Sequence, residues 1–415
     1  MTTHKLYVLM CTFIAVQGAG ILADVAIAPQ TACADTFYVA KNGSNDNSCT
    51  EARSRSMAKL TINEGLKCLT AGDTLYIGTG TYEEAINENS LIPSGTSWDN
   101  AVTIAAVPGE SVVLKPNGTY EVISLVGSSI RYLVFDRLIL DAANVFADGF
   151  SMTNGANHIR LQNSEVKHAP VQGILITKGS GNTEYNEFCN LTIHDNGHNR
   201  LSHGMYISTS NNLIEHNNVY HNSGYGIHVY DDVGDVNNNV VRLNIAWENS
   251  TTDCCDAGIL VGSGNGNIAY NNIVYGNPYG IISGFSQATN TKIYNNTVYN
   301  NSEYGIQNRS TSTNAIIMNN IVYLSSTAIQ DLGTDTTLSH NLTGDPKFVD
   351  ASTFDFRLKP ESPAIDSGKV LNEVSVDFRG VSRPKGTAPD IGAYEFENNS
   401  FSSTLAPPSE LRVSP

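Results

Sequence analysis

Six of the ten histidines in this 415-residue chain fall between positions 194 and 228. They are His194, His198, His203, His216, His221 and His228, and Arg200, Tyr206, Tyr225, Tyr230, Asp231 and Asp232 lie among or just beyond them. Imidazole changes charge nearest to neutral pH, so a concentration of this kind suits general acid–base chemistry. Phenols and carboxylates beside it supply acids, and arginines supply charge for a developing anion. Asp253 and Asp256 bracket Cys254-Cys255 a little further on and could serve as acids, metal ligands or turn residues. Asp231, Asp232 and Asp235 could hold calcium, although their spacing matches no defined calcium loop.

What positions these groups is a repeat. An apolar residue beside an aromatic one recurs at Leu140, Val166, Ile193, Val219, Ala246, Val274, Val298 and Val322, in steps of 26, 27, 26, 27, 28, 24 and 24 residues. Asn pairs precede it and Gly-Ile follows it. A period of this length, rich in Asn, Gly and β-branched residues, predicts stacked coils in which each residue has a neighbour above and below. Each coil reads as three short strands, as in Leu213–Glu215, the strand around Val219, and Ile227–Val229. Paired Asn at 217–218, 271–272, 295–296 and 319–320 would fill one turn with a hydrogen-bonded ladder.

Stacking the third strand of each coil gives an inward column of Ile174, Met205, Ile227, Ile259, Ile281, Ile306 and Ile329. The outward column beside it is Leu175, Tyr206, His228, Leu260, Ile282, Gln307 and Gln330, followed two residues on by Thr177, Ser208, Tyr230, Gly262, Gly284 and Arg309. The ionisable groups therefore gather on the middle coils. Two insertions, 194–203 and 247–257, flank the coil of His228 and would wall one groove from both sides, as functional loops on a rigid scaffold do. His203 and His228 face that groove. His216 and His221 read as turn residues. The column Tyr220, Trp247, Tyr275, Tyr299 and Tyr323 is either a sugar-stacking edge or an outer packing seam.

Composition narrows the rest. A formal net charge of −16 argues against nucleic acid, which needs a basic footprint. Lys5 followed by the apolar run Leu6–Val16 reads as a secretory leader too short to be a good membrane span. Cleavage after Ala32-Cys33-Ala34 would leave the mature chain starting at Asp35; lipidation of Cys33 is the alternative. Export favours disulfides, with Cys49–Cys68 as the natural first pair. Cys254 and Cys255 could pair with each other, or one of them with Cys189. The division expected is a leader at 1–34, an N-terminal cap with irregular coils at 35–130, and regular coils at 131–345. A closing module at 346–396 and a polar tail at 397–415 complete it. Met57–Leu69 reads as an amphipathic helix capping the open first coil.

The repeat over residues 74–345 resembles the right-handed parallel β-helix of the pectate-lyase type. Gly344-Asp345-Pro346-Lys347-Phe348 through Asp390-Ile391-Gly392-Ala393-Tyr394 is similar to the closing module of many secreted bacterial β-helix proteins. Tyr225-Gly226-Ile227-His228-Val229-Tyr230 is similar in placement to the Tyr-Gly-Phe-Asp-Pro-His stretch of mannuronan epimerases. There His228 stands in place of Asp, Val229 of Pro and Tyr230 of His. The Asp set and Gly-His-Gly of polygalacturonase-type hydrolases are not found, and His203-Gly204-Met205 is a partial echo.

The resemblance implies an all-β secreted protein acting on polysaccharide, and β-elimination on a uronate-containing chain is the leading expectation. His228 would be the base, Tyr206 or Tyr230 the acid, with His203 orienting. His194, Arg200, Tyr225, Trp247 and Arg309 would contact the chain, and Arg200, Arg309 or calcium would stabilise the anion. No organic cofactor is expected, and the protein is expected to be a monomer. The alternatives are a glycoside hydrolase using paired carboxylates from Asp231, Asp253 and Asp256, an epimerase, and a non-catalytic glycan-binding surface protein.

Overall fold

The computed structural model of the protein describes residues 34–87, 90–252 and 256–397. The leader with its cleavage or lipidation site, Asp253, and the Cys254-Cys255 pair lie outside the described residues. The described chain winds into about ten coils of a parallel β-solenoid with three long sheets. The first has twelve strands, from Thr36–Val39 to Thr337–Ser339. The second has ten, from Gly80–Tyr82 to Ile321–Tyr323, and the third has nine, from Ile123–Val126 to Thr327–Asp331. Among the described residues no helix is long and apolar enough to cross a membrane.

The register is the one the repeat predicts. In the second sheet Leu140, Val166, Ile193, Val219, Ala246, Val274, Val298 and Val322 pair in sequence, all fully buried. In the third sheet Ile174, Met205, Ile227, Ile259, Ile281, Ile306 and Ile329 do the same. Because strand residues alternate faces, this register forces Tyr206, His228, Leu260, Ile282 and Gln307 outward. Phe135, Phe150 and Phe188 fill the interior of the wider early coils edge to face.

Asparagine closes the corners of the later coils, where the earlier ones have Ser164 and Leu191 between the first and second sheets. The expected ladder runs through Asn217, Asn244, Asn272, Asn296, Asn320 and Asn341, between the first and second sheets. A second ladder, Asn196, Asn222, Asn249, Asn277 and Asn301, turns the chain from the second sheet to the third. A third, Asn186, Asn212, Asn239 and Asn267, leads into the first sheet. In each ladder the side-chain oxygen accepts from the neighbouring Asn, which satisfies polar groups that would otherwise be stranded in the interior. His216 and His221 occupy left-handed turn positions (φ 57° and 52°), in keeping with their reading as turn residues.

The N-terminal end differs from expectation. The helix expected at Met57–Leu69 is only Ile62–Leu66, preceded by 3-10 turns at Glu51–Arg53 and Arg55–Met57. The reason is local: Lys59 pairs its backbone with Tyr38 and Ala40 of the first strand, so the chain is extended there and the helix starts only after Thr61. Ile62 and Leu66 pack with Val39 and Leu75, and the Cys49–Cys68 disulfide ties the segment down. At the other end the closing module contains an antiparallel pair, Phe348–Asp350 with Asp355–Leu358. It lies along the outer face of the second sheet, with Phe348, Phe356, Ile391 and Ala393 packed on Ile273, Tyr275 and Ile321. Asn295 and Asn319 donate to carbonyls of Asp390 and Lys369 in it. Leu332 and Leu338 of the last coil stay half-exposed.

Candidate functional site

The outer face of the third sheet carries the aromatic and histidine cluster. His228 sits one coil from Tyr206, with ring centroids 4.7 Å apart. Tyr225 and Tyr230 stack on it from either end of its own strand, at 4.5 and 5.2 Å. His203 meets it edge-on at 4.4 Å. Enclosed this way, His228 is only 6% exposed and its Nδ1 has no hydrogen-bond partner. Burial first, and His203 second, push its pKa well below the ordinary imidazole value, so the ring is neutral.

A side-chain-to-backbone ladder holds His203. Asp148 Oδ1 accepts the backbone N–H of Gln172 at 2.8 Å, and Gln172 Oε1 accepts that of His203 at 2.6 Å. Nδ1 of His203 in turn accepts the N–H of Tyr225 at 3.1 Å. An amide only donates, so Nδ1 is bare and the proton of neutral His203 is on Nε2. Burial lowers the pKa of this ring to about 3. Close approach makes the ladder possible: a Cβ on Gly224 would lie 2.4 Å from His203 Nδ1. Neither Asp148 nor Gln172 stood out in the sequence. They become visible only when the residue before each coil's Gly (Asp148, Gln172, His203, Tyr225) is read as a column of its own.

The two insertions meet. Arg200 from the first reaches Asp256 at the end of the second, with Nη2 3.6 Å from Oδ1. Asp256 also interacts with the Tyr225 hydroxyl, whose pKa is raised by burial first and by Asp256 next. The Tyr206 phenol is raised by burial and then by Asp232 and Asp231. Lower on the same face Arg309 lies over the Phe285 ring at 4.8 Å and donates to Gln307 Oε1 at 2.7 Å, and Tyr279 stacks on Tyr304 at 5.3 Å.

His203, Tyr206, Tyr225, His228, Tyr230, Arg200 and Asp256 are thus brought together, with Arg309 on the same sheet. Two expected contact residues are elsewhere. His194 and Trp247 belong to the outward seam of the second sheet, where His194, Tyr220, Trp247 and Tyr275 stack in turn at 4.9, 4.5 and 5.9 Å. Their positions on second-sheet strands turn them away from the third-sheet cluster. The closing module covers the seam through Phe354 and Phe356 on Tyr275, so the aromatic column is packing.

The carboxylates expected to hold calcium do not converge. Asp231 accepts from Val233 N–H and Ser208 Oγ, Asp232 accepts from Tyr230, and Asp235 pairs with Lys178. Among the described residues no three His, Cys, Asp or Glu side chains gather where an ion could sit. Cys189 carries a free thiol, pushed up to about 12 mainly by burial.

A family model described as periplasmic copper-binding protein (NosD) matches residues 148–343. The described donors do not fit a copper centre: no three of them gather where an ion could sit, and in the touching pair His203 and His228 one nitrogen of His203 already accepts the Tyr225 N–H. No curated protein sequence matches the chain. Among solved structures, the pectate lyase Pel9A superposes with a TM-score of 0.68 at 18% identity, over 88% of this chain and 96% of its own. XylC in complex with xylose superposes at 0.52 and 11% identity, over 87% and 98%. The A-module of the mannuronan C-5 epimerase AlgE4 from Azotobacter vinelandii reaches 0.43 at 15% identity, over 66% and 91%. At these identities the likeness is one of architecture. The chain is a parallel β-helix protein with the fold of the pectate lyases.

Proposed function

We propose that this is an extracytoplasmic polysaccharide-active protein whose groove on the third sheet cleaves a uronate-containing chain by β-elimination. The observation that carries the reading is the contact of two neutral imidazoles, His203 and His228, with the Tyr206 phenol between walls that bring in Arg200 and Asp256. A neutral ring is the state a base needs. In the proposed step His228 removes the proton α to the uronate carboxylate. Those electrons form the ring double bond, and the bond to the leaving glycosidic oxygen breaks. Tyr206 protonates that oxygen. The substrate carboxylate, entering a low-dielectric site, raises the basicity of His228 again. Arg200 and Arg309 offset charge on the carboxylate as it takes enolate character. The Cys49–Cys68 disulfide supports residence outside the cytoplasm.

A second reading is favoured by one observation. His228 is so closely covered by Tyr225 and Tyr230 that Nδ1 has no access, as suits a rigid binding surface better than a base. Incubation with acidic and neutral polysaccharides, with calcium or chelator, separates the readings when ultraviolet absorbance and reducing ends are followed together. Elimination raises both on a polyuronate and is insensitive to chelator. Reducing ends alone mean hydrolysis. Binding with neither signal means a non-catalytic glycan receptor.

A further inference from the structure

A concavity separate from the third-sheet cluster lies elsewhere on the molecule. On the outer face of the first sheet lies an open trough of about 630 Å³, within the range of ligand sites. Leu213 and Val240 form its floor, Trp98, His158 and Tyr185 one wall, and Arg242 with Tyr270 the other. The rings are continuous: Tyr132 to His158 at 4.6 Å, His158 to Tyr185 at 5.2 Å in a stacked pair, and Trp98 edge-on to Tyr132 at 5.7 Å. Tyr185 is 53% exposed.

The backbone under these rings is the second observation. Tyr132, His158 and Tyr185 occupy the left-handed corner position leading into the first sheet, at φ 52°, 54° and 61°. The later coils fill the same corner with Asn211, Asn238, Gly266, Asn290 and Asn314, residue types that tolerate this conformation. Three consecutive coils instead hold a ring there, tyrosine in two of them, and the rings are in mutual contact, His158 and Tyr185 lining the trough with Tyr132 behind His158.

The chemistry of the walls selects the ligand. Arg160 is paired with Glu187 and stacked over Trp98 at 4.5 Å, Arg242 is paired with Glu215, and Glu373 is paired with Lys292. Charges so paired neither demand a counter-charge nor favour an anionic chain. What the trough offers is flat aromatic faces for the apolar faces of sugar rings and, beside Arg242, the Tyr270 hydroxyl, which accepts from Arg242 Nη1 at 2.8 Å and so keeps its own hydrogen for a sugar hydroxyl. We propose that this face is a second carbohydrate site that binds a neutral oligosaccharide chain, separate from the groove around His228.

The test is calorimetric titration of the full mature chain with cellohexaose, xylohexaose and mannohexaose, with hexagalacturonate as the charged control. At least one neutral hexasaccharide should bind. Tyr185→Asn, which installs the residue type of the next coil, should weaken it at least tenfold while leaving the melting temperature unchanged or raised. His228→Ala should leave this affinity as it is, so loss of the third-sheet reading does not carry the second site with it. No neutral hexasaccharide binding, binding of hexagalacturonate only, or unchanged affinity in Tyr185→Asn overturns the proposal.

Discussion

The backbone N–H of Tyr225 donates to Nδ1 of His203 across neighbouring coils at 3.1 Å, and this bond fixes which nitrogen of His203 carries the proton. The residue that stacks on His228 therefore also sets the tautomer of the ring lying edge-on to His228. Nitrogen-detected NMR should find Nδ1 of His203 unprotonated and Nε2 protonated. Because burial holds its pKa near 3, this pattern should persist to about pH 4. Titration of His203 near pH 6.5 would contradict the burial described here.

Tyr206→Phe removes the proposed acid and little else, since the ring keeps its stack on His228. Turnover on a polyuronate should slow by about a hundredfold or more while KM stays nearly unchanged, which is within the usual size of general-acid effects. A change confined to KM would make Tyr206 a binding residue.

Asn244 tests the ladders. Its Oδ1 accepts from Asn217, and its Nδ2 donates to Ile214 and Asn272, all in the buried corner. Asn244→Ala strands several of these partners, each costing ~1–3 kcal/mol, so a loss of about 3–5 kcal/mol is expected in denaturant unfolding. The exposed Asn117→Ala should stay within about 0.5 kcal/mol of the parent.

How much of this was legible from residues alone follows from where period governs. The columns of Val219 and Ile227 could be stacked on paper because the interior accepts only apolar residues at a fixed step. The outward neighbours Tyr206 and His228 came with them. The Asp148, Gln172, His203, Tyr225 column was not legible, because its members share no residue type and are linked only by hydrogen bonds between coils. The ladder of Asn222 was hidden for the opposite reason: Asn is so frequent here that one Asn per turn draws no notice. Trp98 comes from an irregular early coil with no repeat to place it, so the first-sheet trough was invisible. His194 and Trp247 were near the third-sheet cluster in sequence, yet strand direction turned them to another face.

Asp148 makes the site pH-dependent in a direction that can be checked. Burial raises its pKa to about 6, against an ordinary value of 3.8. The folded state thus keeps a proton that the unfolded state releases, so its contribution to stability is lost as pH rises from about 4 through 6. Asp148→Asn keeps the acceptor for Gln172 and carries no charge. It should be more stable than the parent at pH 7 by on the order of 2–3 kcal/mol, and the difference should vanish below about pH 4. Equal stability of the two at pH 7 would mean that Asp148 is already ionised at little cost.

Elimination on the third sheet is proposed to run through His228. The most direct measurement compares the native chain with His228→Ala on one polyuronate found to bind, recording ultraviolet absorbance and affinity on the same samples. Rising absorbance is expected with the native chain, none with His228→Ala, and affinities within about threefold of each other. Binding by both with absorbance from neither, or equal absorbance from both, would contradict it.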